Sequence, residues 1–351
     1  MSIGSVDPNF LLGSKLSQEE YIWYNCQSDP FEIRGLEQHE GETFRRVPEE
    51  LAKRVSEGVL FLSAHTAGGR VRFSTDSSKI AVRVQSLGPF LMPHMPLTGI
   101  SGVDIYLNGV FTGGVRPDNP NGGWFEGFVQ NKAGQAEVEI NLPLYNGVKT
   151  VLIGIDKGAS VGKPRAYKYD KPVVYYGSSI TQGGCASRPG NSYQGFLSRW
   201  LDTDHINLGF SGNGKGEPLM AEFIAKHEMS AFVMDYDHNA PNPEHLGNTH
   251  ENFFRIIRKA HPSLPVIFVS KPDIGKNPED EEARREIIRK TYHNALLSGD
   301  RNVWFVDGGK LLGKDYDACT VDTSHPNDLG FYRMAEGIYP FLKAALEKSG
   351  K

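Results

Sequence analysis

The sequence predicts an α/β protein in two parts: a doubly wound parallel sheet flanked by helices, preceded by an antiparallel β-sandwich of jelly-roll type. Three observations carry this expectation. Up to Gly154 the apolar runs are short, partly alternating and separated by Gly- and Asn-containing turns, which is sandwich patterning. After Ile155 apolar runs of four residues alternate with amphipathic stretches, which implies βαβ units. The 351 residues exceed one usual domain and allow two. Residues 1–165 are assigned to the sandwich and its linker, and 166–351 to the parallel sheet.

Taken in order, Pro48 to Ser56 reads as a single helical insertion and Val59-Leu60-Phe61-Leu62 as a strand. Val71-Arg72-Phe73, Lys79 to Val84, Val103 to Leu107 and Val138 to Leu142 follow as strands rich in β-branched residues. Turns are predicted at Ala67-Gly68-Gly69, Asn108-Gly109, Thr112-Gly113-Gly114 and Asn121-Gly122-Gly123. Asn108-Gly109 lies between apolar runs, and both residues tolerate the positive φ of a tight hairpin. Asp156 to Asp170, with Gly158, Gly162 and Pro164, reads as a linker.

The second part predicts strands from Val173 to Tyr176, His205 to Leu208, Ala231 to Met234, Val266 to Val269 and Val303 to Val306. Helices are expected around Tyr193 to Leu201, Pro218 to His227, His250 to Lys259, Asp280 to Leu296 and Phe331 to Lys348. In such sheets ligands bind beyond the carboxyl ends of the strands. Residues just after Tyr176, Leu208 and Met234 are therefore the place to look for chemistry.

Composition narrows the partner. The chain is 39% hydrophobic and 23% charged with a net charge of −4, and it has no basic stripe to compete for phosphate. Nucleic acid and anionic membranes are excluded as partners, and a neutral small molecule is expected. The N-terminus has no basic segment followed by an apolar one, and no apolar run is long enough to span a bilayer, so a cytoplasmic location is expected. Three cysteines, Cys26, Cys185 and Cys319, form no CxxC and cannot all pair, which agrees with a reducing compartment. Cys185 and Cys319 have no basic neighbour to lower their pKa and read as apolar fillers.

Two stretches carry the chemistry. Gly177-Ser178-Ser179-Ile180-Thr181-Gln182-Gly183 follows a strand, which puts Ser179 where a helix is about to begin. A serine hydroxyl attacks only if a base takes its proton, and Asp322-Thr323-Ser324-His325 supplies a base with an orienting carboxylate three positions earlier. Each stretch alone also reads as a helix start: a serine cap in the first, and in the second a turn ahead of Pro326 with Asp328 in the first turn.

These blocks, with Asn207-Leu208-Gly209-Phe210-Ser211-Gly212 and Asp235-Tyr236-Asp237-His238-Asn239 between them, resemble the SGNH/GDSL esterases and acyltransferases. Gly102-Val103-Asp104-Ile105-Tyr106 resembles the GxDLY signature of the β-rich domain that precedes one branch of that family. The resemblance implies a flavodoxin-like sheet and a catalytic Ser179, His325 and Asp322. It implies an oxyanion hole from the N–H of Ser179, the N–H of Gly212 and the amide of Asn239. It further implies hydrolysis of short acyl esters of carbohydrates or small alcohols through an acyl-enzyme, with no cofactor and no metal. Acyl transfer to a small-molecule acceptor is the alternative. Two departures stand out: Ser178 replaces the usual aspartate, and the third block lacks Gly-x-Asn-Asp. Strand-end alignment points to His238, the Asp-x-x-x-Asn pattern to Asn239, and Asn239 is chosen because an amide donates without titrating.

Rival readings belong to other classes. Gly209 to Lys215 fits the phosphate-binding GxxxxGK pattern, and Asp235 ends an apolar strand, but Gly216 cannot supply the hydroxyl that holds Mg²⁺. A non-catalytic carbohydrate-binding protein leaves the serine, histidine and aspartate without a role. Pro89 to Leu97 reads equally as a wall of the substrate pocket or as interdomain packing, and Arg188-Pro189-Gly190 as a substrate-facing or a solvated turn.

Overall fold

A computed structural model of the chain describes residues 16, 20–272 and 275–349. The first part holds β1 (Tyr21–Asn25), β2 (Glu32–Arg34), α1 (Glu49–Val55), α2 (Glu57–Ser63), β3 (Arg70–Thr75), β4 (Lys79–Ser86), α3 (Leu97–Ile100), β5 (Val103–Leu107) and β6 (Val110–Val115). β7 (Trp124–Gln130), β8 (Ala136–Asn141), β9 (Val148–Asp156) and β10 (Val161–Gly162) complete it. The strands form two antiparallel sheets, β1-β9-β4-β7 and β10-β3-β8-β5-β6, with β2 added on β3. Alternate residues of both sheets, among them Val71, Phe73, Ile80, Val82, Ile140 and Ile153, share one buried cluster, so the sandwich has its own core. β5 and β6 join through Asn108 and Gly109, both at positive φ (52° and 79°), as their types predict.

The second part runs β11 (Tyr169–Gly177), α4 (Ser179–Gln182), α5 (Tyr193–Leu201), β12 (Thr203–Gly209), α6 (Pro218–Ile224), β13 (Ala231–Asp235), α7 (Pro243–Ala260), β14 (Val266–Val269), α8 (Pro278–Leu297), β15 (Val303–Val306) and α9 (Asp328–Ser349). All pairings are parallel in the order β12-β11-β13-β14-β15, the flavodoxin-like arrangement. Successive residues of β11 point to opposite faces. Val173 and Tyr175 join the core beneath α5 and α9, whereas Val174 and Tyr176 join that beneath α6, α7 and α8. Burial on both faces is why these strands read as continuous apolar runs.

Several local expectations are corrected. Val59 to Leu62 is helical, because Ser56 ends α1 and caps α2, its Oγ accepting the Val59 N–H at 3.1 Å. Val59 and Leu62, three apart, face inward while Phe61 is 57% exposed, a helical period that four apolar residues in a row conceal. The single insertion is thus a helix pair. Thr112-Gly113-Gly114 lies inside β6 rather than in a turn, and the linker contains β10 and the start of β11.

Buried polar side chains join the two parts. Arg46 is fully buried and donates from Nε to His65 O (2.8 Å), from Nη2 to Leu62 O (2.7 Å), and from Nη1 to Asn207 O (3.1 Å) and Gly209 O (2.6 Å). Burial pushes its guanidinium down to about 9. Asp104, the aspartate of the GxDLY-like stretch, accepts from Asn141 Nδ2 (2.8 Å), Gly190 N–H (2.8 Å) and Arg188 Nη1 (3.2 Å). Arg188 also donates to the Tyr106 hydroxyl and lies 3.7 Å from the centre of the Phe111 ring, so its turn is tied to the sandwich.

Candidate active site

Gly177 pairs with Gly209 on one side and Asp235 on the other, so β12, β11 and β13 end level with one another. A Cβ on Gly177 would stand 2.0 Å from Thr181 Oγ1 and 2.2 Å from Asp235 O, so only glycine lets the chain turn this tightly into α4. Ser178 is the N-cap: its Oγ accepts the Ile180 N–H (3.1 Å), and its own N–H donates to Thr181 Oγ1 (3.1 Å). Serine therefore supplies locally the capping acceptor that an aspartate could have supplied. Below, the Thr181 and Tyr193 hydroxyls donate to Asp235 Oδ2 at 3.1 and 3.0 Å. Burial, then the nearby Asp237, pushes the Asp235 carboxyl well above the usual range.

α4 opens on Ser179, whose Oγ lies 2.9 Å from His325 Nε2. Asp322 accepts from His325 twice, from Nδ1 into Oδ2 (2.7 Å) and from the backbone N–H into Oδ1 (2.7 Å), and Oδ1 also accepts the Ser324 N–H (3.0 Å). A carboxylate accepts only, so Nδ1 carries the imidazole proton and Nε2 is left to accept from Ser179. Burial pushes the Asp322 carboxyl up, but the His325 hydrogen bonds outweigh it and hold the group below its ordinary value. The structure thus brings Ser179, His325 and Asp322 into one hydrogen-bonded chain, although 146 positions separate the serine from the histidine.

The candidate oxyanion donors lie on the loops leaving the same strand ends. Gly212 has φ 67° and open space where a Cβ would stand, and the N–H groups of Ser179 and Gly212 have no hydrogen-bond partner among the described residues. Asn239 closes a 3₁₀ turn (Asp237–Asn239) after β13 and donates from Nδ2 to Phe210 O (2.8 Å), which leaves its second N–H free. His238 Nε2 is instead engaged with Ser324 Oγ (3.0 Å), and burial, with Lys271 adding, pushes the imidazole down to about 4. It stays neutral beside the His325 turn.

Sequence reasoning missed His94. No motif marks it, although its loop, Pro89 to Leu97, reads as a pocket wall or interdomain packing; the structure brings His94 on that loop to the second part, where the His94 and His325 ring centres are 5.5 Å apart. Met95 is buried in the same core as Cys185, so the Pro89 to Leu97 loop both packs and reaches the site. Cys319 is buried, with Sγ against Leu312 O at 3.6 Å, as a filler should be. The phosphate-loop pattern lacks its frame: the helix begins at Pro218, three residues past Lys215, and Asp235 is spent on Thr181 and Tyr193.

Residues 170–343 match the GDSL-like lipase/acylhydrolase family, and residues 21–161 match the N-terminal region of SGNH-type esterases known as GxDLY. No curated protein matches the chain by sequence. Among solved structures, a protein of Bacteroides ovatus ATCC 8483 provisionally described as a GDSL-like lipase superimposes with a TM-score of 0.83 at 29% identity, over 93% of this chain and 98% of that one. A salicylyl-acyltransferase from a tetracycline biosynthetic pathway gives 0.77 at 23% identity, over 92% and 97%. A family two carbohydrate esterase from Clostridium thermocellum, in complex with cellohexaose, gives 0.61 at 14% identity, over 81% and 94%. The last two likenesses establish fold. With both parts matched in order, the chain belongs to the GDSL-like lipase/acylhydrolase family, in the branch that carries the GxDLY N-terminal region of SGNH-type esterases.

Proposed function

We propose that this protein is a serine ester hydrolase that works through an acyl-enzyme. The observation that carries the reading is the chain Ser179 Oγ, His325 Nε2, His325 Nδ1, Asp322 Oδ2, with links of 2.9 and 2.7 Å. Ser179 attacks the acyl carbonyl while His325 takes its proton at Nε2, and Asp322 favours the imidazolium that forms. The N–H groups of Ser179 and Gly212 and the free N–H of Asn239 receive the developing oxyanion. His325 returns the proton to the leaving alcohol. Water, activated by the same base, then releases the acid.

Short acyl esters of carbohydrates or small alcohols are the proposed substrates, supported by the fold shared with carbohydrate esterases. Acyl transfer is the second reading, favoured by the likeness to an acyltransferase over 92% of the chain. Turnover of p-nitrophenyl esters of increasing acyl length, with and without sugar acceptors, tests both. Rapid turnover of short esters in water alone is expected. Dependence of turnover on an acceptor selects transfer, and no turnover under any condition by the folded protein overturns the proposal.

A further inference from the structure

His94, Cys185 and His325 come from three distant stretches of chain, yet one ligand atom from each lies within 4.8 Å of the others. The placement follows from packing. α3, which ends the His94 loop, docks on the segment after Cys185, with the Thr98 hydroxyl donating to Ser187 O. The Cys185 segment is in turn fastened to the His325 turn: Cys185 N–H donates to Pro326 O (3.0 Å) and Ser187 N–H to Asp328 Oδ1 (2.8 Å). Met95, one residue from His94, is buried in the same core as Cys185.

We propose that these three side chains form an inhibitory site for a borderline-soft divalent cation, Zn²⁺ above all. Two imidazoles and a thiolate suit Zn²⁺ and disfavour Mg²⁺ and Ca²⁺, which take oxygen ligands. Tetrahedral Zn²⁺ holds such ligand atoms about 3.3–3.6 Å apart, so side-chain rotations of roughly an ångström close the site, with water in the fourth position. His94 is exposed and free to swing. His325 is already oriented: Asp322 holds Nδ1–H at 2.7 Å and leaves the Nε2 lone pair on the side of the Ser179 hydroxyl, the kind of orientation that carboxylates impose on metal-binding histidines.

The inhibition rests on the reading of His325 as the base. Binding forms an Nε2–metal bond from the same lone pair that accepts the Ser179 proton, so the hydroxyl loses its acceptor. Cys185 enters as thiolate and its proton goes to solvent. Burial pushes that thiol up to about 12, and coordination drives the proton off. Nothing is oxidised or reduced.

Metal-free full-length protein is titrated with ZnCl₂ while p-nitrophenyl acetate turnover is followed, and with CoCl₂ while the near-ultraviolet spectrum is followed. Zinc should inhibit and EDTA should restore turnover. His94→Ala, on the surface, and Cys185→Ser should each raise the half-inhibitory zinc concentration at least about tenfold, with inhibition of each variant measured against its own metal-free turnover. The parent should show a thiolate-to-cobalt charge-transfer band that Cys185→Ser loses. Unchanged zinc sensitivity in His94→Ala, or no such band in the parent, overturns the proposal. If the metal-free parent turns over no ester, the hydrolase reading fails, and the cobalt band and its loss on Cys185→Ser decide the site by themselves.

Discussion

The two hydrogen bonds from His325 to Asp322 divide two jobs: the backbone N–H closes the turn before α9, and the Nδ1 bond fixes which imidazole nitrogen faces Ser179. Ser179→Ala should therefore abolish ester turnover and leave the melting temperature nearly unchanged, because only one hydroxyl contact is lost. Asn239→Ala should lower kcat by roughly 10²-fold with little change in KM, since the donor matters only as charge develops. His238→Ala should be milder in kcat; the reverse ranking in steady-state kinetics would move the donor to His238. His238, with its pKa pushed down to about 4, remains neutral above that pH, so His238→Gln should leave the shape of the pH profile of turnover above about pH 5 unchanged. Asp322 has a lowered pKa, so the stability it contributes is present above the ordinary carboxylate value and is lost as pH falls through the lower one. At this scale the serine, histidine and aspartate were legible because a strand end and a four-residue turn are local patterns. His94 was not, because nothing local distinguishes a histidine on a loop that must cross between two sheets before it meets His325.

The five parallel strands and the helices around them were readable because both faces of the sheet are buried and the runs between turns are uniformly apolar. Helix α2 was not: four apolar residues in a row satisfy either period, and the deciding signal was Ser56 followed by Glu57, a cap and an acidic first turn. Strand β6 was hidden by its two glycines, which normally announce a turn. Capping also sets a prediction for α4. Ser178→Ala should cost about 1 kcal/mol in denaturant unfolding and lower kcat by misplacing Ser179, whereas Ser178→Asp, which keeps an acceptor at the cap, should stay near the parent in stability.

The molecule as a whole depends on contacts that the sequence does not announce. Asp104 sits in a stretch recognisable as a signature, but its partners in the second part are a backbone N–H at Gly190 and a guanidinium at Arg188, 84 positions away in the second case. Asp104→Ala should remove these bonds and leave Arg188 short of a partner, costing on the order of 2–3 kcal/mol in equilibrium unfolding. A cost within error of zero would show the turn to be held by its other contacts, among them the Phe111 ring and the Arg199 donation to Gly190 O at 2.8 Å. Arg46 is quieter still, since its acceptors are carbonyl groups present in every residue. Its consequence is genetic as much as structural. A gene cut near codon 165 would yield a C-terminal fragment whose Asn207 and Gly209 carbonyls have lost a donor, and an N-terminal fragment whose Arg46 keeps only the His65 and Leu62 carbonyls. Neither should persist as a soluble product when expressed alone, and mixing the two should recover the enzyme only if the halves can still fold around Arg46 and the other buried ties, Arg70 to the His205 carbonyl (2.9 Å) among them.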